Sequence, residues 1–351
     1  DLKTRKFRHG LQYEDFLTRT IPHDYVEAVR DDDKANLIKE LMKITNNNKK
    51  HFDYTFSALA YSLIGMAFLE QKYWYLTGKG SNGKSFILEM LTLIFPCYVK
   101  KGNRQMLEEG SSKQHKHLKE LVGYHLVWID ELSKKKSDGE LLKEICNGTA
   151  IENEVLYGTT KTIAIQYKLW VAANNAINVE MNEHGATRRY VEMFLHSKFD
   201  FDAEHDDEEK LIFKADKHFG EKVLEMKHTF IAIMLDYAHD YLTNMKLKDE
   251  PDEFKQGRQD TIGMNTDYVK VFVDENITKT GNVGDRVSLH SICDRLKWYE
   301  EDRDYKANVK KLRGIMKTEG FVYQSDLSFK IDEETTYRGG WKQMILREED
   351  E

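Results

Sequence analysis

The chain of 351 residues has few cysteines, no long hydrophobic run and no excess of positive charge. Its three cysteines, Cys97, Cys146 and Cys293, lie far apart without the spacing of metal ligands, which favours an intracellular, reducing compartment over a disulfide framework. No apolar run approaches the ~20 residues of a membrane span, and no signal-peptide pattern opens the chain. We therefore expect a soluble protein with no membrane partner.

The formal net charge of −7 argues against a surface that coats nucleic acid without selectivity, because such binding requires clustered Lys and Arg. It leaves room for a local basic feature. With 40% hydrophobic residues, the chain is long enough to build two or three domains. The first residue is Asp1 and the opening segment is charged and mixed, from which we expect a piece of a longer protein.

One eight-residue stretch has the spacing G-x-x-x-x-G-K-[ST], and strand-like and helix-like segments flank it at Tyr73–Thr77 and Phe86–Phe95. Its glycines let the backbone bring N–H groups close to a polyphosphate, its lysine supplies positive charge, and its serine hydroxyl can reach a metal ion. The alternative is an ordinary surface glycine loop. The predicted nucleotide-binding residues are Gly78, Lys79, Gly80, Ser81, Asn82, Gly83, Lys84, Ser85 and Phe86.

Two carboxylates, Asp130 and Glu131, end the apolar strand-like segment 124–129. In a parallel sheet, ligands bind at the carboxyl ends of the strands. Asp130 can hold Mg²⁺ together with Ser85, while Glu131 can orient and polarise an attacking water. A strand followed by an exposed acidic turn is the simpler alternative.

Two further polar pairs follow strand-like or turn-like segments. Asn174, preferred here over Asn175, can hold a water in line with a terminal phosphate without changing charge. Arg188 or Arg189 can stabilise transition-state charge on the nucleotide of a neighbouring subunit. Taken singly, these pairs would be read as an ordinary turn and as two surface arginines.

The order of these motifs between about Lys72 and Phe199 resembles that of superfamily 3 helicases, a branch of the AAA+ ATPases, in the primase-helicase type of large DNA viruses and phages. The resemblance includes Lys168–Asn174 as the family's asparagine motif and Leu142–Ile151 as its extra motif. It implies a hexameric ring that hydrolyses ATP with Mg²⁺ between subunits and translocates 3′ to 5′ on single-stranded DNA.

The resemblance also assigns Lys161, in the small-residue segment Gly158–Thr162, as a hairpin lysine that contacts a phosphate of single-stranded DNA. An exposed hairpin lysine without a function is the alternative. The family often has an aspartate shortly before its arginines, where this chain has Glu183-His184. The choice between Arg188 and Arg189 therefore stays open.

The pattern of elements predicts a three-layer α/β core with a parallel sheet, and the resemblance implies that this is a P-loop ATPase core of the AAA+ type. We expect a helical collar for oligomerisation at 1–70, the ATPase core at 71–200, a helical completion at 201–262 and a winged-helix-like domain at 263–351. Predicted helices include Leu37–Met42, Phe56–Leu69 and Val223–Leu242, and the run Lys306–Arg313 can face DNA or solvent.

The sequence thus predicts an ATP-dependent DNA helicase module of a viral or phage replication protein. Expected partners are copies of the same chain, single-stranded DNA, and an upstream primase domain or other replication proteins. The expected location is the host cytoplasm or nucleus for a virus, or the bacterial cytoplasm for a phage. The alternative function is an oligomeric AAA+ loader, scaffold or protein remodeller that does not unwind DNA.

Overall fold

The structure, a computed structural model, describes residues 1–10, 12, 19–26, 29–65, 68–132, 135–153, 161–174, 177, 179, 188–265, 268–282, 284–299, 305–330 and 336–347. The chain forms two compact units, one within residues 1–265 and the other mainly within residues 266–351.

The first unit has a central sheet with helices packed against it. Two 3₁₀ turns, Lys43–Thr45 and Arg104–Met106, accompany the regular elements. In chain order these are α1 (Asp31–Met42), α2 (Lys49–Leu63), β1 (Tyr73–Thr77), α3 (Lys84–Ile94), β2 (Val99–Lys101), α4 (Gln114–Lys119), β3 (Leu126–Asp130), α5 (Gly139–Asn147), β4 (Ala150–Asn153), β5 (Lys161–Ala164), β6 (Lys168–Ala172), β7 (Tyr190–Phe194), β8 (Lys198–Asp200), β9 (Ile212–Lys214), α6 (Phe219–Glu225), α7 (Lys227–Asn244) and α8 (Asp252–Asn265).

Five strands form one parallel sheet in the order β2-β3-β6-β1-β7. The predicted α/β fold with a parallel sheet is confirmed. In the register, Asp130 pairs with Ala172, and Ala172 pairs with Leu76. The ends of β3, β6 and β1 therefore meet at one edge of the sheet, which brings the segments that follow these strands together.

A row of three tryptophans crosses the sheet at its middle. Trp128 pairs with Trp170, and Trp170 pairs with Trp74, on three adjacent strands. The rings of Trp74 and Trp170 stack with centroids 5.0 Å apart, and all three side chains are buried. Such pairs contribute about 0.5–1.5 kcal/mol beyond the burial of their area. This row fixes the central strands in the register that aligns their ends.

Helices from both sides of the predicted boundaries near residues 70 and 200 share one hydrophobic core with the sheet. Phe56 of α2 and Phe230 of α7 belong to this core, as do Leu76 and Val191 of the sheet. The assignment of four domains remains a prediction, because shared packing does not reveal which segment mediates oligomerisation.

Several predicted helix boundaries differ from the structure, and the first helix begins at Asp31 rather than at Leu37. The helix predicted to reach Leu69 ends at Leu63, and it begins at Lys49 because the Asn48 side chain accepts hydrogen bonds from the backbone N–H groups of the first turn. The single helix predicted over Val223–Leu242 is two helices, since Met226 leaves helical geometry and separates α6 from α7.

The second unit combines helices with small antiparallel sheets. The strands Arg286–Ser288, Thr336–Lys342 and Tyr323–Lys330 form one sheet in that order, and Ile277–Lys279 pairs with Met344–Leu346. Trp341 lies at the centre of its core, with Leu312 and Met316. The elements are α9 (Tyr268–Asn276), β10 (Ile277–Lys279), β11 (Arg286–Ser288), α10 (Leu289–Arg295), α11 (Tyr305–Thr318), β12 (Tyr323–Lys330), β13 (Thr336–Lys342) and β14 (Met344–Leu346).

Within the described residues of both units, every helix is too short or too polar to cross a membrane.

Candidate nucleotide-binding site

The glycine loop between β1 and α3 has the backbone geometry that its glycines predict. Gly78, Gly80 and Gly83 have φ angles of 153°, 94° and 82°. A Cβ atom at Gly78 would lie 2.0 Å from Nδ2 of Asn82, and one at Gly83 would lie 3.0 Å from Ile44. The loop is therefore restricted to glycine at these positions by both conformation and space. Because Gly83 caps α3 without a side chain, the first N–H groups of that helix can face an anion.

Asn82 anchors the loop to the sheet, a role that the motif did not predict. Its side chain is only 1% exposed, and its Nδ2 donates to the carbonyl of Leu195, 3.2 Å away, just after β7. Its Oδ1 accepts from the backbone N–H of Lys84 at 3.4 Å. The amide thus links the end of β7 to the first residue of α3.

Lys84 lies in the centre of the candidate site. Its Nζ donates to Oδ1 of Asn174 at 2.6 Å. Burial lowers the pKa of the ammonium, while the carboxylates of Glu131 and Asp130 act in the opposite direction. The Lys84 ammonium is therefore a buried positive charge that can bind an anion such as a phosphate.

Asp130 extends from the end of β3 towards α3. Its Oδ1 accepts from the Ser85 hydroxyl at 3.2 Å, and its Oδ2 lies 2.9 Å from Nζ of Lys101 at the end of β2. A hydroxyl beside a carboxylate at a phosphate loop is the donor set that Mg²⁺ takes together with phosphate oxygens and waters. The residues present therefore fit this ion. Lys101, whose ammonium also lies 4.5 Å from the centroid of the Trp128 ring, has no motif signature and was not predicted.

Glu131 and Asn174 lie next to each other across the ends of β3 and β6. The Asn174 Nδ2 donates to Oε2 of Glu131 at 3.5 Å. Glu131 has a φ of 56°, and its N–H donates to the carbonyl of Ala172 at 2.9 Å. This left-handed backbone turns its carboxylate out of the strand direction, and such strain is common at functional sites. The alternative residue, Asn175, lies outside the described residues.

The two arginines lie at the opposite edge of the sheet from the glycine loop. They precede Tyr190, which pairs with Tyr73 at the start of β1. Thr77, which leads into the glycine loop, lies four residue steps of ~3.3 Å further along this strand. Arg188 is exposed and its Nη2 donates to Oε1 of Gln71 at 2.9 Å. Arg189 is only 8% exposed and donates to Oδ1 of Asn147 at 2.9 Å. Neither arginine is placed beside its own chain's loop.

Lys161 is the first residue of β5, where it pairs with Asn153 of β4 in an antiparallel hairpin. The resemblance predicts a lysine on the small-residue turn of a hairpin, whereas Lys161 begins the second strand of the hairpin. The turn residues 154–160 lie outside the described residues, as does the Glu183-His184 segment. Its role as a nucleic-acid contact stays a prediction.

A cavity of about 650 Å³ opens beside the glycine loop, within the first unit. Part of its wall is aromatic, and the aromatic side chains that follow β7 or belong to α6 are predicted by no sequence motif. Phe86, which the motif does predict, stacks on Phe219 with ring centroids 5.3 Å apart. Phe201 is 63% exposed at this cavity. The loop and aromatic residues of the lining are Ser81, Gly83, Phe86, Phe199, Phe201 and Phe219.

Comparison with known proteins gives two curated viral relatives, while no family model matches the chain. The protein named "Putative helicase L207/L206" of Acanthamoeba polyphaga mimivirus is 23% identical over 333 residues, which cover 90% of this chain and 34% of the relative. "Putative helicase V13" of Sputnik virophage is 25% identical over 289 residues, which cover 77% of this chain and 35% of the relative. The chain is a distant homologue of these proteins and spans about a third of their length.

Among solved structures, the apo form of the NrS-1 C-terminal region is similar in fold. The match has a TM-score of 0.53 at 11% sequence identity and covers 92% of this chain and 77% of that one. At this identity the similarity concerns the fold alone.

Proposed function

We propose that the chain is the ATP-dependent helicase module of a viral or phage replication protein. One observation carries this proposal: Lys84, Ser85, Asp130, Glu131 and Asn174 converge by hydrogen bonds or direct contact at one edge of a parallel sheet. These residues come from the loop and from the ends of two further strands. Their side-chain types match the needs of phosphoryl transfer to water. The homology to two viral proteins with a helicase name supports the choice of reaction.

In the proposed mechanism, the loop N–H groups and Lys84 bind the β- and γ-phosphates of ATP. Ser85 and Asp130 would hold Mg²⁺, and the bound ion would neutralise charge on the phosphates. Glu131 accepts a hydrogen bond from the attacking water, and Asn174 orients this water by its amide. Asn174 contacts both Lys84 and Glu131. Rotation of its side chain can therefore couple the binding of the γ-phosphate at Lys84 to the position of the general base, Glu131.

The aromatic cavity beside the loop is proposed to receive the nucleobase. It adjoins Ser81 and Gly83, so a base attached to phosphates in the loop is within reach of it. Its volume of about 650 Å³ lies in the range of small-molecule sites, and aromatic faces stack on bases.

Hydrolysis is proposed to depend on assembly into a ring, with a hexamer as the expected form. The exposed Arg188 is favoured as the residue that reaches the nucleotide of the next subunit, because it lies away from its own chain's loop while Arg189 is buried against Asn147. Lys161 of each subunit is proposed to track single-stranded DNA in the 3′-to-5′ direction. The module would act in a reducing intracellular compartment, and its three cysteines are free.

ATP turnover and strand displacement by the purified chain test this function together. We expect single-stranded DNA to raise ATP turnover and the chain to displace an annealed strand, both of which Lys84→Ala should abolish. Lys246→Ala, at an exposed lysine paired with Asp249 away from the glycine loop, is the control that should leave both activities intact. If turnover is unchanged by DNA and no strand is displaced, the helicase proposal is wrong and a loader or remodeller becomes the better interpretation.

A further inference from the structure

Helix α11 in the second unit carries a basic stripe that the proposed ATPase site does not use. The helix has five basic residues and no acidic one over Tyr305–Thr318. Four of them, at positions 306, 310, 313 and 317, are exposed and follow the spacing i, i+4, i+7, i+11. This spacing places them on one face of a helix. The basic stripe consists of Lys306, Lys310, Arg313 and Lys317.

Packing fixes the direction in which the stripe points. Val309, Leu312 and Met316 are buried in the core of the second unit, so the helix cannot rotate about its axis. The Arg313 guanidinium lies 4.0 Å from the centroid of the Tyr323 ring on β12. Among the described residues, none of the four stripe side chains forms a salt bridge that would neutralise it. The positive charge therefore faces solvent.

The hairpin of β12 and β13 presents further basic residues. Arg338 pairs with Ser328, and Lys330 lies two residues beyond Ser328 on the same face of the strand. Both basic side chains are exposed. On the other face, Tyr337 stacks on His290 with ring centroids 3.7 Å apart, which holds the hairpin to α10. A fixed helix and a fixed hairpin thus both carry exposed positive charge in one unit.

We propose that this unit binds the backbone of duplex DNA, with the basic stripe of α11 along the major groove. B-form DNA admits an α-helix into that groove, whereas the major groove of an RNA duplex is too narrow. Surfaces that bind single strands offer aromatic rings for base stacking, whereas the exposed residues of α11 include no aromatic side chain. Gly314, on the exposed side of α11, has no atom within 4 Å of where a Cβ would be, so the backbone can approach a phosphate closely there.

The acidic residues Glu300, Glu301, Asp302 and Asp304 precede α11 in the sequence and lie outside the described residues. The test therefore targets Lys310 and Lys317, which are one and three helical turns further from these residues in the sequence than Lys306 is.

The test is fluorescence anisotropy of the full chain with labelled duplex DNA, single-stranded DNA and duplex RNA, without nucleotide and over a range of salt. We expect Lys310→Gln/Lys317→Gln to weaken duplex DNA binding about tenfold and to reduce the slope of log K against log salt by about 2. The matched control is Lys246→Gln/Lys255→Gln, which removes the same charge from two exposed lysines paired with Asp249 and Asp252. This control should bind like the unmodified chain.

Equal duplex binding by the two double variants would overturn the proposal, and so would a loss confined to single-stranded DNA or equal binding of duplex RNA. The ATP turnover of each variant, measured without DNA, is a separate readout. A chain that binds duplex DNA through the stripe but hydrolyses no ATP would refute the proposed motor and leave this surface standing.

Discussion

At the scale of single residues, the described part of the first unit holds two buried lysines with different partners. Lys84 faces the carboxylates and the amide of the candidate site. Lys168, only 2% exposed, donates instead to the carbonyl of Ile64 at 3.0 Å and lies over the ring of Tyr61. Burial alone lowers the pKa of Lys168 to about 8. A charged residue in the asparagine motif can therefore serve the fold rather than the reaction.

Lys168→Met should remove a pH dependence of stability. The pKa of Lys168 is about 8 in the fold and near 10.5 in the unfolded chain, so the unfolded state binds more protons between these values. The free energy of unfolding of the unmodified chain should therefore rise, relative to that of the variant, by on the order of 3 kcal/mol from pH 8 to 10.5. Denaturant unfolding of both proteins across this range measures the difference, and parallel curves would contradict the assignment.

Substitutions of Arg188 and Arg189 should have different effects on stability and on ATP turnover. Arg188→Ala should leave the melting temperature nearly unchanged and reduce ATP turnover at least about a hundredfold, because an exposed arginine serves the neighbouring nucleotide. Arg189→Ala should lower the stability by about 2–4 kcal/mol, because it truncates a side chain that is only 8% exposed and removes its hydrogen bond to Asn147. Thermal melting and steady-state turnover of both variants check this assignment, and the reverse pattern would exchange the two roles.

At the scale of elements, the sequence predicts strands and the glycine loop well. The segment Tyr73–Thr77 is a strand with the predicted bounds, and Lys84 begins the helix expected after the loop. These predictions succeed because buried parallel strands are short apolar runs with turn residues at their ends. The sequence did not predict the break at Met226, because the apolar pattern continues through this residue and only its backbone leaves helical geometry.

The candidate site was predictable only in part, for a physical reason. Motif residues follow strands directly, so their convergence comes from the sheet order. Lys101 and the aromatic cavity come from an edge strand and from segments after β7, which no local spacing connects to the loop. They meet the site through tertiary packing alone.

Phe201→Ala tests the cavity as a nucleobase site. The side chain is largely exposed, so its removal should cost little stability but raise the KM for ATP about tenfold, with kcat nearly unchanged. Hydrolysis of inorganic triphosphate, which has no base, should not change. Leu93→Ala, which truncates a 52% exposed side chain of α3 outside the cavity, is the matched control. An unaltered KM for ATP in Phe201→Ala would place the base elsewhere.

At the scale of the whole molecule, the chain covers about a third of the length of its curated viral relatives. Its two units hold different chemistry: the first has the phosphate loop and the carboxylates, and the second has the exposed basic stripe of α11. The net charge of −7 does not preclude nucleic-acid binding by such a chain, because the positive charge is concentrated on particular elements. The proposed hydrolysis requires that copies of the first unit meet, because its arginines and its loop lie at opposite edges of the sheet.

Mixing two inactive variants tests this requirement most directly. Arg188→Ala keeps an intact loop, and Lys84→Ala keeps an intact arginine, so a mixed ring contains some complete sites between subunits. We predict that each variant alone hydrolyses almost no ATP and that an equal mixture recovers up to about a quarter of the unmodified turnover, the share of interfaces with both intact residues. An inactive mixture, with mixed assembly verified by native mass spectrometry, would contradict the shared site.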